Sequence, residues 1–537
     1  MNRNNIRKKI LIVFSLAFIT FFSIIVVNTI FFNRTIQVNF SIIVMLVSTI
    51  LLYVLGYVIY IFYRKKKNKK WDFSVKPMTL VVIGIIVFGI QMLLANLTYA
   101  HCGWDCGGVV SNAFELYSGK PIATNYFAIY PNNIALLLLF KYILVVVGFF
   151  QNITSPFNLW VTIVFNIIVI DMGVIFTILT CKKLLGNKAV WLSLIFLIPL
   201  VIFSPYINIP YTDTLTMFFP ITMFFFYLKI KEKTKYRYLW YVVEGMLVVA
   251  GIVLKPTIII IWVAIFIGEI FYAKKSENLK NTIFSIVIMI ILVILGASII
   301  YGGYDEIKKK NIDPLITEEQ FEEQSVSITH FFMMGMQERA AEENVRGKNN
   351  ILYGAYNGND TSNTVKIQGK KAKTEYNLSV VKQRLQNFGA LGYLYFLYQK
   401  ANWILCDGTF FYGGEGTFFI TDSFNTSPIG KILQNYTNIE KEEYQNVTAN
   451  IMQTTWILLL VGLLFSYKKQ EKLEIKKNLQ IAQMAIIGII LFNLLFEGRA
   501  RYLINHLPFF ILVGTYGLKN SYQWLYEKIN KLNERKR

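Results

Sequence analysis

The chain has 537 residues, of which 55% are hydrophobic and 16% charged, and its 54 Lys and Arg outnumber 32 Asp and Glu for a formal net charge of +22. About a quarter of residues are charged in an ordinary soluble domain, and the apolar residues here come in long runs, so a soluble globular fold is excluded and a polytopic integral membrane protein is indicated. The basic residues cluster beside apolar runs, at 64–70, 229–237, 274–280, 468–477 and 528–537, as cytoplasmic anchors do, which excludes a nucleic-acid surface.

The first run, 10–32, is nearly free of charge and at about 1.5 Å per residue is long enough to cross a hydrocarbon core of roughly 30 Å. It exceeds the apolar core of a signal peptide, no small-residue cleavage site follows, and a second run starts at Phe40, so it reads as a retained span. Further spans are predicted near 40–62, 78–96, 158–180, 189–207, 214–230, 239–254, 257–273, 282–302, 452–467, 479–496 and 503–518, twelve in all, with both termini inside. The run 132–150 is set apart. As a crossing it would put Lys182, Lys183 and Lys188 outside, and it carries Lys141 after a Tyr-Pro-Asn-Asn turn, so it reads as a helix lying along or dipping into the outer leaflet. The alternative is a true crossing with one later run misread.

The expected fold class is an all-α polytopic membrane protein of about 12 transmembrane helices with an outer juxtamembrane helix and an extracytoplasmic α/β or mixed domain. Its expected divisions are two additional N-terminal helices at 1–77, a transmembrane core at 78–302 with an external loop at 97–156, the extracytoplasmic domain at 303–451, and C-terminal helices with a basic tail at 452–537. The long polar segment 301–450 holds 18 acidic and 15 basic residues, too many for a mere connector. Within it 382–404 looks amphipathic, with Leu385, Phe388, Leu391, Leu394, Leu397 and Trp403 at roughly helical spacing.

Chemistry is expected outside. In the first external loop Asp105 follows Trp104 among glycines; a carboxylate there either accepts a proton from an acceptor hydroxyl or is a solvated loop residue. Asp213, in Ile-Pro-Tyr-Thr-Asp-Thr, either caps the following helix or takes part in a site. Lys255 contradicts the charge rule at the outer interface unless it snorkels to headgroups or receives an anionic ligand such as a lipid phosphate. Arg499 and Arg501 are also outside, and arginine's fork suits phosphate oxygens, although Glu497 offers a salt bridge instead. Cys102 and Cys106 pair with each other, or either reaches Cys406, or none pairs. His101 with Cys102 and Cys106 lacks the spacing of zinc frameworks, and no metal is expected. Intramembrane Asp171 and Glu244 read as bonds across helices.

A Trp-Asp in the first long external loop, Tyr130-Pro131 after it, Asp213 at the second external turn, Lys255-Pro256 two spans later and Arg501-Tyr502 before a final proline-containing span together resemble the GT-C glycosyltransferases. The narrower resemblance, from about residue 78 onward, is to the protein-mannosyltransferase and aminoarabinose-transferase group, which uses polyprenyl-phosphate sugars. It implies a GT-C fold with Asp105 as catalytic base and Asp213 near the acceptor or donor sugar. It further implies that Lys255, Arg499 and Arg501 face the donor phosphate, that Trp104 and Tyr130 line the substrate, and that 132–150 is the juxtamembrane helix. Mannosyltransferases carry Asp-Glu where Asp105 is followed by Cys106, so one acid must suffice, and neither the first two spans nor 301–450 has a counterpart. The expected function is inverting transfer of a sugar from a polyprenyl-phosphate donor to an extracytoplasmic acceptor such as a cell-wall glycan. No cofactor is needed, and the setting is a bacterial plasma membrane with membrane lipid as partner. A polysaccharide polymerase or ligase and a lipid-linked sugar transporter or flippase are the alternatives.

Overall fold

A computed structural model describes residues 3–32, 38–65, 77–232, 236–272, 279–340, 351–413, 423–468 and 471–535. The chain opens with three long helices, α1 (Arg3–Phe31), α2 (Ile42–Lys65) and α3 (Pro77–Thr98), followed in the first loop by α4 (Trp104–Tyr117), α5 (Thr124–Ile129) and α6 (Ile134–Gly148). Next come α7 (Phe157–Leu185), α8 (Asn187–Leu197), the short α9 (Thr212–Leu215), α10 (Phe218–Ile230), α11 (Arg237–Leu254), α12 (Ile259–Tyr272) and α13 (Leu279–Asn311). The polar segment holds α14 (Glu318–Gln324), α15 (Ile328–Met334), strands β1 (Glu338–Ala340) and β2 (Ile351–Tyr353), α16 (Gly358–Val365), α17 (Lys370–Leu405) and α18 (Pro428–Gln434). Helices α19 (Ala449–Leu464), α20 (Leu473–Leu495) and α21 (Leu507–Arg535) close the chain.

Ten helices among the described residues are long and apolar enough to cross a membrane. Nine coincide with predicted spans, and the tenth, Pro131–Gly148, is the run that the charge argument set apart. The predicted spans 189–207 and 257–273 are the shorter apolar helices Asn187–Ile202 and Pro256–Tyr272. Pro199 has no N–H to give the ladder, and the chain passes through a wide turn over Ile198–Ile202. The predicted span 503–518 starts as a tight turn, Ala500–His506, before α21 begins. Helix α6 is held among first-loop elements: Gly148 packs against Tyr117 of α4, and Lys141 donates to Asn311 at the end of α13 at 2.6 Å.

The core runs along α7, α19, α20 and α21, where Phe509, Phe510, Ile511, Leu512 and Val513 are fully buried. Two crossings depend on glycine. A Cβ at Gly245 of α11 would meet the Val293 carbonyl of α13, one at Gly296 of α13 would meet the Val242 carbonyl, and Gly462 and Gly517 bring α19 and α21 together likewise. The N-terminal pair, expected as an addition, is built into the bundle. Asn28 donates to Asn402 at 2.8 Å, the Ser48 and Thr454 hydroxyls lie 2.9 Å apart, and Tyr53 stacks edge-on against Tyr522.

Among the described residues, the segment expected to form a mixed domain is helical apart from one antiparallel pair of three-residue strands, with Glu338 opposite Tyr353. It has too little alternating apolar sequence to extend that pair, and it docks on the bundle through α17. The predicted amphipathic stretch lies in α17 but is broken at Gly389, whose φ of 61° only glycine adopts freely. Beyond the break Leu391 is 83% exposed while Phe396 and Trp403 pack into the core, so only part of the predicted face is buried.

Candidate active site

The first-loop aspartate sits in the first turn of α4, where a carboxylate favours the positive end of the helix dipole. Asp105 accepts the Tyr126 hydroxyl on Oδ1 at 2.7 Å and the Tyr211 hydroxyl on Oδ2 at 3.2 Å. Asn133 donates to the Tyr126 hydroxyl at 2.6 Å. Burial, reinforced by Asp105, raises both phenols far above their ordinary range, so they remain donors. Sequence reasoning missed all three partners, although Tyr126 and Asn133 lie in the Tyr-Phe-Ala-Ile-Tyr-Pro-Asn-Asn run and Tyr211 stands two residues before Asp213. The Trp104 side chain lies outside the described residues. The Tyr130 ring lies tilted against Tyr126 at 5.4 Å and its hydroxyl lies 3.5 Å from Thr361, facing α16.

Asp213 is 2% exposed and Lys255, directly after α11, 9% exposed. The two form an ion pair through Asp213 Oδ1, and Arg501 Nε lies 3.6 Å from Oδ2. Burial pulls the Lys255 ammonium below its ordinary value while Asp213 pulls it back up. Burial also works against the Arg501 charge, but Asp213 holds it well above its ordinary value. Lys255 lies 4.5 Å over the Tyr502 ring, and the Arg501 guanidinium 5.4 Å over Tyr211. Tyr211 therefore touches both centres, with its hydroxyl on Asp105 and its ring under Arg501.

Arg499 is not drawn into this cluster. Its Nε pairs with Glu497 at 3.1 Å, and the Tyr502 hydroxyl donates to the same oxygen at 3.1 Å. Asp105 apart, on the other side of Tyr211, Lys255, Arg499 and Arg501 face two carboxylates, Asp213 and Glu497. The Glu497 turn is fixed from the polar segment. The Glu497 N–H donates to the Phe331 carbonyl at 2.9 Å and the Gly498 N–H to Gly354 at 2.9 Å. Beneath it buried Lys400 donates to the carbonyls of Gly335, Leu494 and Phe496 at 2.8, 3.1 and 2.6 Å.

A small cavity of about 10 Å³, room for roughly one water, is lined by Tyr206, Tyr211, Asp213, Arg501, Phe411 and Tyr412. The last two come from a loop on which sequence reasoning placed no site residue. Asp407 accepts Thr409 N at 2.8 Å and Phe411 N at 2.9 Å, Gln453 of α19 holds Gly408 N at 2.6 Å, and Tyr206 donates to the Phe410 carbonyl at 2.6 Å. Phe410 and Phe411 adopt φ of 54° and 57°, a left-handed conformation that costs of order 1–3 kcal/mol each and persists only when surroundings enforce it.

None of the four cysteines forms a disulfide; Cys102 and Cys106 donate to the carbonyls of Asn208 and Pro210 at 3.5 and 3.7 Å, and Cys406 lies by Asn402. Among the described residues no three His, Cys, Asp or Glu side chains gather as a metal site. Asp171 accepts from Gln91 at 3.1 Å across helices, and Glu244 is buried beside Trp262.

A family model described as "Conserved hypothetical integral membrane protein" matches residues 2–522. Among solved structures the chain is similar to ArnT from Cupriavidus metallidurans bound to undecaprenyl phosphate, at 11% identity and a TM-score of 0.30, over 83% of this chain and 79% of that one. A superposition that loose transfers no residue. No curated protein matches the chain.

Proposed function

The chain belongs to the family of conserved hypothetical integral membrane proteins, and on that premise we propose that it is a membrane glycosyltransferase moving a sugar from a polyprenyl-phosphate donor to an extracytoplasmic acceptor. The observation that supports this reading best is the desolvated Asp213, Lys255 and Arg501 cluster, joined through Tyr211 to Asp105. A base and an excess of cation stand one tyrosine apart, as displacement of a phosphate from a sugar carbon requires.

In the proposed reaction the acceptor hydroxyl gives its proton to Asp105 and its oxygen bonds to the anomeric carbon. The bond from that carbon to the phosphate oxygen breaks, and the polyprenyl phosphate leaves with the electron pair. A carboxylate has about four lone-pair sites, so Asp105 can accept the acceptor proton while its tyrosines keep it oriented. Lys255 and Arg501 are fixed before the reaction and need no reorganisation as charge develops on the leaving phosphate. Arg499 is proposed to join them once the donor competes with Glu497 for its guanidinium. A donor sugar needs far more room than one water, so Phe411 and Tyr412 have to move outward for it to enter.

The test is the glycan composition of the cell envelope in the native host, comparing wild type, Asp105→Asn and a full deletion at matched membrane expression. Loss of the same sugar in Asp105→Asn and deletion, with accumulation of the lipid-linked donor, is the expected result. A positioned base contributes about 10² to 10⁴ in rate, so residual transfer should fall by at least the lower figure. A wild-type glycan in Asp105→Asn beside a deletion phenotype rejects Asp105 as the base and brings the transporter reading forward.

A further inference from the structure

A second cavity, of about 240 Å³, opens between α2, α8 and α21, and Arg64, Lys188 and Lys519 line it. It lies far from the Asp213 cluster. Lys519 donates at 3.0 Å to the carbonyl of Leu185, the last residue of α7, whereas Asn166 of the same helix donates to the carbonyl of Ile207 at 2.9 Å, in the turn leading to Asp213. Those positions are 19 residues apart in one continuous helix, which at about 1.5 Å per residue is roughly 28 Å, close to the thickness of a hydrocarbon core.

Among the described residues none of the three cations forms an ion pair. Glu471, which attracts Lys519 through space, accepts the Tyr516 hydroxyl at 2.8 Å, and Glu527 accepts from Gln523, a lining residue, at 2.9 Å. Lys468 adds a further cation, donating to Gln523 at 3.3 Å. Among the described residues the lining of the cavity therefore holds three cations and no acid. Arg64, Lys188 and Lys519 come from three different helices to line one cavity much larger than the 10 Å³ or so that a water needs, with Lys188 exposed at its rim. Arg64 is also held in place, 3.2 Å from the Tyr60 hydroxyl and 4.1 Å over the Tyr526 ring, which leaves its fork set for a planar or tetrahedral oxyanion.

We propose that this cavity binds a phosphate-bearing anion at the end of the bundle opposite the Asp213 cluster, with Arg64, Lys188 and Lys519 around the phosphate oxygens. Two sources share that chemistry. One is the headgroup of an anionic phospholipid, for which Trp191 and Tyr60 supply the amphipathic lining usual at a membrane interface. The other is free phosphate from the aqueous phase.

The experiment takes the full chain in detergent and compares wild type with R64Q/K188Q, substitutions at two side chains that hold no ion pair. Melting temperature is read with phosphatidylglycerol, with phosphatidylcholine, and with inorganic phosphate against chloride at equal ionic strength; native mass spectrometry counts retained lipid. Ligands that bind only the folded state raise its melting point. Stabilisation by phosphatidylglycerol alone, with at least a ~5-fold loss of retained lipid in R64Q/K188Q, assigns the headgroup. Stabilisation by inorganic phosphate, lost in the variant and without a preference between the lipids, assigns the free anion. Equal behaviour of the two lipids without a phosphate effect, or shifts unchanged in R64Q/K188Q, overturns the proposal. If the double variant melts well below wild type without any ligand, Lys188→Gln, at the most exposed of the three, carries the same comparison.

Discussion

Asp213 is the residue whose removal the structure makes costly, because it leaves Lys255 and Arg501 buried without a counter-charge. Breaking one partner out of a buried ion pair destabilises by about 3–5 kcal/mol, so Asp213→Ala should lower the melting temperature of the detergent-solubilised protein markedly. Adding Lys255→Met to it should recover part of that stability and none of the activity; a double variant no more stable than Asp213→Ala would show that the Lys255 charge is not what the aspartate neutralises. The charged members of the site were legible because a charge in apolar sequence conspicuously breaks a pattern. Their tyrosine and asparagine partners were not, since Tyr126, Tyr211 and Asn133 are unexceptional at a membrane interface and their roles arise only once the fold brings Tyr126 to Asp105 across 21 residues and Tyr211 to it across 106. Asp407 was hidden for another reason: Asp-Gly-Thr reads as a turn, and nothing local tells that the turn carries Phe411 to a distant cluster.

At the scale of elements, the close crossing of α11 and α13 positions the site, because α11 runs directly into Lys255. Gly296→Val would drive a side chain into the Val242 carbonyl. The helices have to separate, which should lower the melting temperature and reduce the proposed transfer together as Lys255 shifts away from Asp213. Wild-type melting would show that the two helices are not in such close contact. Nine predicted spans coincide with helices long and apolar enough to cross a membrane, because a long lipid-facing helix has to be apolar along its length. The other three depart where length and apolarity part company. Asn187–Ile202 and Pro256–Tyr272 are shorter and each contains a proline, while 503–518 begins in a tight turn before its helix. In the polar segment the helices are stabilised by local devices such as the Thr317–Gln320 capping box, which the absence of a strong apolar period left unread.

Across the whole molecule, His330 of the polar segment is fully buried and contributes to the response to acid. Burial depresses it to about 4. Between its ordinary value near 6.5 and that value, the unfolded chain binds a proton that the folded chain refuses. Stability present above pH 6.5 is therefore lost as pH falls through that window, with a slope of up to about 1.4 kcal/mol per pH unit. His330→Gln should flatten the fall of melting temperature between pH 6.5 and 4.5 relative to wild type; an unchanged slope would mean that His330 is already protonated when folded. The interlocking of the two chain ends bears on how the protein is made. Asn28 finds its partner Asn402 only 374 residues later, which at a ribosomal pace of about 5–20 residues per second is roughly 20 to 75 s. During that interval α1 and α2 must wait in the bilayer with their inward faces uncovered, available to lipid, to an insertase or to the wrong helix. Slow decoding late in the message would prolong that exposure, and a prematurely stopped chain would never end it.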